Sequence, residues 1–184
     1  RRQRQMCIRD SNLSGAGGCS FSVVRYGNVI GSRGSVVPLF QKLIKEKATE
    51  LPITDFRMTR FWITLDQGIN FVLSCLKIMQ GGEIFIPKIP SMKITDLAHS
   101  MAPGLSHREI GIRAGEKLHE LMISEDDARN SFEFTDRYAI LTPFLNPEKS
   151  IYERRGGELV QSGFSYASET NAEWLTPEDF KKLI

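Results

Sequence analysis

The chain has 184 residues, 41% hydrophobic and 25% charged, which suits one domain with its own core and excludes disordered, collagenous and disulfide-scaffold classes. Its net charge of +2 is uneven: nine Lys and Arg against Asp10 and Glu46 up to Lys47 give +7, and 15 against 20 in the remainder give −5. The basic front half suits an anionic ligand, but no aromatic-interleaved stripe points to nucleic acid, and no apolar run approaches the ~20 residues of a membrane span.

Residues 1–11 have no hydrophobic period, cap or strand signal and read as an unstructured, non-native tail, leaving 12–184 as the folded part. Phe21, Val23, Val24 and Tyr26 then form a short β-branched and aromatic strand. It runs into a turn holding Gly27, Gly31 and Gly34, which allow backbone angles closed to other residues. Ser35 is the expected N-cap of a helix that tolerates Pro38 in its first turn and repeats Val36, Val37, Phe40, Leu43 and Ile44 on one face. Such a helix points free N–H groups and its positive end into the turn, where Arg33 offers a guanidinium and Asn28 an amide. The glycine spacing matches neither the P-loop nor the dinucleotide fingerprint, so an ordinary strand-to-helix turn fits the spacing as well as a phosphate cradle does.

Further along, residues 51–54 and 58–64 are strand candidates. Thr64 and Gln67 make a capping box for a helix bearing Ile69, Val72, Leu73, Leu76 and Met79, which Gly81 and Gly82 stop. Residues 83–87 read as a buried strand, so 58–87 is expected to form a parallel strand–helix–strand crossover. A helix over 94–101 closed by Pro103 and Gly104, a strand over 109–113, and a helical face of Leu118, Leu121 and Met122 over 116–123 follow. One strand through Phe132, Phe134 and residues 138–141, a loop over 146–170, and a helix capped by Thr176 with Pro177 at its first position complete the pattern.

Cys7, Cys19 and Cys75 are scattered and odd in number, which argues against a metal site or a disulfide and fits a reducing cytoplasm. His99, His107 and His119 have no partner at metal or triad spacing, so no metal is expected. Trp62 and Trp174 read as core or interface residues.

Four motifs together carry a family resemblance: RYGNVIGSRGSVVP (25–38), MTRFWIT (58–64), GGEIFIPKIPSMKITDLA (81–98) and IGIRAGEKLHE (110–120). The chain resembles the inverting UDP-N-acetylglucosamine 4,6-dehydratases, extended short-chain dehydrogenase/reductase enzymes, from about Asn12 to its end. The resemblance implies an α/β fold: the C-terminal part of a Rossmann-like domain interleaved with a small α/β substrate-binding domain. It implies NADP as cofactor, with Tyr26, Gly27, Asn28 and Val29 closing the nicotinamide pocket and Asn28 also touching the sugar nucleotide. The loop of Ser32, Arg33, Gly34, Ser35 and Val36 would lie against UDP, Arg60 and Arg113 would reach the diphosphate with Glu116 nearby, and Thr54 and Met58 would be wall residues. Two guanidinium forks match paired phosphate oxygens. Taken without the resemblance, Arg60 simply flanks a strand and Arg113 pairs with Glu116 on the surface.

The implied reaction is an internal redox cycle that removes water from the sugar and inverts its fifth carbon, the first step toward pseudaminic acid, in a cytoplasmic homo-oligomer. The family's glycine fingerprint, its Tyr-x-x-x-Lys pair and its catalytic acid precede the strand at Phe21, so no catalytic residue is assigned here. The isolated chain is expected to be inactive, and sparingly soluble because its sheet lacks early strands. Ala114 stands where the family usually has proline. A retaining, membrane-anchored dehydratase, an epimerase of the same superfamily, and a non-catalytic nucleotide-sugar-binding module are the alternatives.

Overall fold

The computed structural model describes residues 20–142 and 149–184; the tail expected over 1–11, Cys7 and Cys19 lie outside them. In chain order the elements are β1 (Val23–Val24), β2 (Asn28–Val29), α1 (Val36–Lys45), β3 (Glu50–Ile53), β4 (Thr59–Ile63), α2 (Leu65–Leu76), β5 (Glu83–Pro87), β6 (Ser91–Lys93), α3 (Ile94–Met101), β7 (Ser106–Glu109), β8 (Leu121–Ile123), α4 (Glu125–Ala128), β9 (Ser131–Glu133), β10 (Arg137–Leu141), α5 (Lys149–Arg154), β11 (Glu158–Leu159), β12 (Tyr166–Ala167) and α6 (Pro177–Lys181). The mixed α/β class expected from the sequence is the class observed.

The chain divides into two compact units, each built from three separated stretches. The first takes residues up to Tyr26 together with Ile69–Lys88 and Met122–Tyr166. Its sheet has the order β1-β5-β10-β9-β11, with β1 parallel to β5 and the other neighbours antiparallel. All five residues of β5 are buried, as its continuous apolar run requires of a central strand. Phe71 and Cys75 of α2 pack on Phe85 and Ala139, with Val24 against the same cluster, while Phe132, Leu141 and Tyr152 form a second one. Glu83, fully buried, ties these parts together. It accepts hydrogen bonds from the Ser22 hydroxyl, the Gln80 and Gly81 amides (2.6 and 2.9 Å) and the Tyr152 hydroxyl (2.7 Å). Burial, reinforced by the Glu83 carboxylate, pushes the Tyr152 phenol well above the ordinary range and keeps it a donor.

The second unit takes Gly27–Gly68, Ile89–Leu121 and Ala167–Ile184. It contains a three-stranded sheet, β2-β4-β6, and the parallel pair β3-β7, in register from Glu50 opposite Ser106 to Ile53 opposite Glu109. Its core gathers Val37 and Phe40 of α1, Leu51 and Ile53 of β3, Trp62 of β4, Leu97 and Ala98 of α3, and Phe180 of α6. Trp62 is met edge-on by Phe180, with ring centroids 5.6 Å apart and planes at 71°. Trp62 is thus a core residue, whereas Trp174 is 41% exposed.

Several expectations are corrected. The 58–87 crossover does not form one sheet: β4 pairs with β2 and β6, while β5 pairs with β1 and β10. The chain leaves one unit for the other between Gly68 and Ile69, inside α2, which periodicity alone could not reveal. Of the strand expected from Phe21 to Tyr26 only Val23–Val24 forms, as β1, and a second short strand, β2, lies in the stretch expected to be a turn. The helix expected over 116–123 is absent; residues 121–123 form β8. The strand expected over 109–113 lies earlier, as β7. The single strand expected near 132–141 is the hairpin β9–β10, closed tightly where the Phe134 amide donates to the Arg137 carbonyl (2.8 Å). Of the loop expected over 146–170, residues 149–170 contain α5, β11 and β12.

Candidate functional site

Every residue assigned to substrate binding falls in the second unit, and β2 with the turn after it places most of them. Asn28 and Val29 pair in parallel with Trp62 and Ile63, and the Ile30 amide continues the ladder to the Ile63 carbonyl at 2.9 Å. Gly27 is required by close approach: a Cβ there would lie 2.5 Å from the Phe61 Cβ and 2.6 Å from the Phe61 carbonyl oxygen. Gly31 and Gly34 are required for another reason, having φ of +74° and +78° with open space around them. Within the turn the Ser32 amide bonds the Val29 carbonyl (3.2 Å) and the Ser35 amide the Ser32 carbonyl (3.1 Å).

Ser35 occupies the N-cap of α1 in extended backbone but makes no capping bond. The third helical position is Pro38, which has no N–H to offer, so one of the usual bonding partners is missing. The Ser35 Oγ, shielded from solvent, has no partner among the described residues. The open end of α1 thus presents a helix dipole and, in the exposed turn before it, Arg33, which forms no ion pair among the described residues. This is an arrangement suited to an anion.

The two other arginines differ sharply. Arg60, 6% exposed, spends its guanidinium on main-chain carbonyls: Nη1 donates to Thr59 (2.7 Å) and Leu118 (2.9 Å), and Nη2 to Lys117 (2.7 Å). Its Nε stands 3.6 Å from Glu120. Burial lowers the Arg60 pKa, opposed by the charges of Glu120 and Glu116. Arg60 therefore holds the 117–120 segment, and most of its donors are already used. Arg113 is exposed, and its side chain has no ion-pair partner among the described residues. The surface pair with Glu116 does not form; the Glu116 carboxylate accepts instead from the Arg113 amide (3.4 Å), and the Glu116 amide returns a bond to the Arg113 carbonyl (3.0 Å).

The 117–120 segment is fixed further by a buried cluster that sequence reasoning missed. Thr59 Oγ1 lies 2.7 Å from His119 Nδ1 and 2.7 Å from Ser168 Oγ, and the Glu120 amide donates to Ser168 Oγ (2.9 Å). His119 is thus a hydrogen-bonded structural residue. No sequence signal links Thr59 to Ser168, 109 positions apart.

Thr54 and Met58 flank a turn pinned by Asp55, whose Oδ1 accepts from the Arg57 amide (2.8 Å) and Nε (3.0 Å), and whose Oδ2 accepts from Arg57 Nη2 (2.7 Å). Met58 is buried in the core and Thr54 half-buried. The bonds from Arg57 hold the Asp55 carboxyl at about 2, below its ordinary 3.8. A carboxyl depressed on folding stabilises the fold above its unfolded pKa and loses that contribution as pH falls through the folded one. The stability conferred by Asp55 is therefore expected to disappear between about pH 4 and pH 2. Urea melts of Asp55→Asn and the parent should converge across that window; an unchanged difference at pH 2 overturns the assignment.

Of the cofactor residues, Tyr26 is 43% exposed and Gly27, Asn28 and Val29 are partly buried. Among the described residues there is no group of His, Cys, Asp and Glu that would hold a metal ion, and no helix is long and apolar enough to cross a membrane.

Residues 2–142 match the family model described as "Polysaccharide biosynthesis protein". The chain is 54% identical over 98% of its length to a UDP-N-acetylglucosamine 4,6-dehydratase (inverting) of Campylobacter jejuni, covering 55% of that protein. It is 32% identical over 98% of its length to a UDP-glucose 4-epimerase of Rickettsia rickettsii, covering 53% of it. Among solved structures it resembles Pen from Bacillus thuringiensis, with a TM-score of 0.78 at 31% identity over 98% of this chain and 53% of that one. The chain thus spans about half the length of these relatives, and matches the C-terminal part of the dehydratases.

Proposed function

The chain belongs to this polysaccharide biosynthesis family, and on that premise we propose that it supplies the substrate-binding half of an inverting UDP-N-acetylglucosamine 4,6-dehydratase with a Rossmann-like, extended short-chain dehydrogenase/reductase fold. The observation that carries the reading is the 54% identity to such a dehydratase over nearly the whole chain. The gathering of residues 27–36, Arg60 and the 113–116 turn in one compact unit supports it.

In this reading the uracil nucleotide lies along the turn of Ser32, Arg33, Gly34, Ser35 and Val36, with its diphosphate drawn by Arg33, Arg113 and the open end of α1. Asn28, anchored by the β2–β4 ladder, orients the sugar, and Thr54, Met58 and Glu116 line the walls. Arg60 acts mainly through the segment that follows Glu116. Tyr26, Gly27, Asn28 and Val29 would hold NADP, which would supply reversible hydride acceptance to the sugar. The described residues contribute one wall of the cofactor pocket, and no proton-transfer step is assigned to them. The product belongs on the route to pseudaminic acid, made by a cytoplasmic homo-oligomer of the assembled enzyme.

Calorimetry with UDP tests the binding role. The parent chain is expected to bind, and Arg113→Ala to bind about tenfold or more weakly, the scale of one charge-assisted bond. Equal affinities would remove Arg113 from the site. Incubation of the chain alone with UDP-N-acetylglucosamine and NADP should yield no 4-keto-6-deoxy sugar; its appearance would show that the chain holds its own catalytic groups. Epimerase is the second reading, favoured by the 32% identity to the Rickettsia enzyme. In the assembled enzyme, retention of the sixth-carbon hydroxyl in the product would select it.

A further inference from the structure

The 113–116 turn has little support of its own. Residues 111–115 are all exposed, and Gly111 and Gly115 stand at φ of +86° and +83° with open space around them. Among the described residues the hydrogen bonds of this turn are internal, the two that join Arg113 and Glu116. Such a loop takes its position from its two ends. One end is simple: the Ile110 amide donates to the Ile53 carbonyl at 2.9 Å and so prolongs the β3-β7 pair. The other end is residues 117–120, and each of these four is held by Thr59, Arg60 or Ser168.

The grip of Thr59 and Ser168 is closely interlocked. The Thr59 amide donates to the Leu118 carbonyl (3.3 Å), and Ser168 holds Glu120 at both main-chain groups, its amide donating to the Glu120 carbonyl (2.8 Å) while its Oγ accepts from the Glu120 amide (2.9 Å). Thr59 and Ser168 are 2% and 0% exposed. Protons can run through their hydroxyls in two orders. In one, Ser168 donates to Thr59 Oγ1 and Thr59 to His119 Nδ1; in the other, His119 donates to Thr59, Thr59 to Ser168, and Ser168 to the Thr59 carbonyl 3.2 Å away. Every member is satisfied in both, so the cluster closes whichever ring nitrogen of His119 carries the proton. Both orders pass through the Thr59 hydroxyl, and a methyl in its place leaves buried groups unpaired.

We propose that Thr59 and Ser168 are positioning residues for the anionic ligand: through residues 117–120 they set where the 113–116 turn, and with it the Arg113 guanidinium, stands against the diphosphate. This rests on the reading of Arg113 as a diphosphate ligand. Both residues are too deeply buried to meet the ligand themselves, and each acts through Arg113.

Calorimetry with UDP on the full chain, as Thr59→Val, Arg113→Ala and the two combined, reads that coupling. Thr59→Val is expected to weaken binding about tenfold alone and less than about twofold in the Arg113→Ala background, because both changes act on one contact. Thr59→Ser, which keeps the hydroxyl, should recover most of the affinity that Thr59→Val loses. Equal losses in the two backgrounds, or a Thr59→Ser variant as weak as Thr59→Val, would overturn the proposal. Where Thr59→Val fails to fold, Ser168→Ala carries the same cycle. Backbone amide order parameters from NMR relaxation give a readout that needs no ligand. Over residues 113–120 they should drop below about 0.6 in Ser168→Ala, while α1 and the β3-β7 pair stay near the rigid-backbone value of about 0.85. Unchanged order over 113–120, or a drop spread through the whole unit, overturns the clamp. A parent chain that binds no UDP sinks the proposed function and the ligand assigned to Arg113, and the order parameters still uphold or overturn the clamp.

Discussion

Replacing Glu83 with Leu is expected to lower the stability of the chain by about 3–5 kcal/mol, the range for breaking a fully buried charged network. The carboxylate accepts from two side-chain hydroxyls and two amides drawn from the lead into β1, the turn before β5 and α5. Leucine fills the volume but leaves those donors buried and unpaired. Glu83→Gln keeps one acceptor oxygen while setting an NH2 group against donors, so an intermediate loss is expected. Tyr152→Phe removes a single donor and should cost about 1 kcal/mol. The double variant Glu83→Gln with Tyr152→Phe should cost less than the sum of its parts, because the two groups share one bond. Urea denaturation midpoints measure all four, and a Glu83→Leu midpoint equal to that of the parent would show that the buried carboxylate contributes nothing.

The second large effect is at Gly27. Alanine there places a methyl 2.5 Å from the Phe61 Cβ and 2.6 Å from the Phe61 carbonyl oxygen, and backbone cannot swing aside as a side-chain tip can. Strand β2 must part from β4, at a cost of about 1–3 kcal/mol. Asn28 is the next residue and pairs with Trp62, so the same shift moves it from the position proposed to orient the sugar. Gly27→Ala is therefore expected to lose stability and UDP affinity together. Gly31→Ala and Gly34→Ala meet no neighbouring atom; each strains the backbone by about 1–2 kcal/mol through its positive φ. If Gly31→Ala proves more disruptive to the β2–β4 ladder than Gly27→Ala, the close-approach argument fails.

What could be read beforehand was what local chemistry decides. The capping box at Thr64 and Gln67 is present, with bonds of 2.9 and 3.2 Å. Helix α3 ends where Pro103 and Gly104 require, and α6 begins at Thr176, whose side chain accepts from the Asp179 amide at 3.1 Å. Strand β5 has the expected bounds, and the apolar run that follows Glu83 is buried throughout. The failures share a different cause. Leu118, Leu121 and Met122 have helical spacing, but main-chain carbonyls at 117 and 118 are engaged by Arg60, and that pull comes from 57 and 58 residues away. The β9–β10 turn lacks the glycine that announces most hairpins, so two strands looked like one. Periodicity also found the helix at 65–76 without saying which face would be covered. The stripe that identified it points outward, and the less regular pair Phe71 and Cys75 meets the sheet.

At the site, residue types were legible and their employment was not. The arginine in MTRFWIT and the one in IGIRAGE look equivalent as donors. Only the fold separates Arg60, enclosed by carbonyls, from Arg113, open to solvent. Ser35 was recognisable as an N-cap, but its unused hydroxyl follows from Pro38 three positions on.

The chain passes between its two units five times, so each unit is assembled from three stretches that neighbour one another only after folding. No single recombination event can transplant the second unit into another protein, because three simultaneous exchanges would be needed. A stop codon near residue 167 would remove Ser168 and Phe180, and with them the partners of Thr59 and Trp62, though the glycine turn and both arginines were still encoded. Such an architecture diversifies by point substitution within its loops. Its specificities should therefore differ between relatives residue by residue, never by exchange of a whole module.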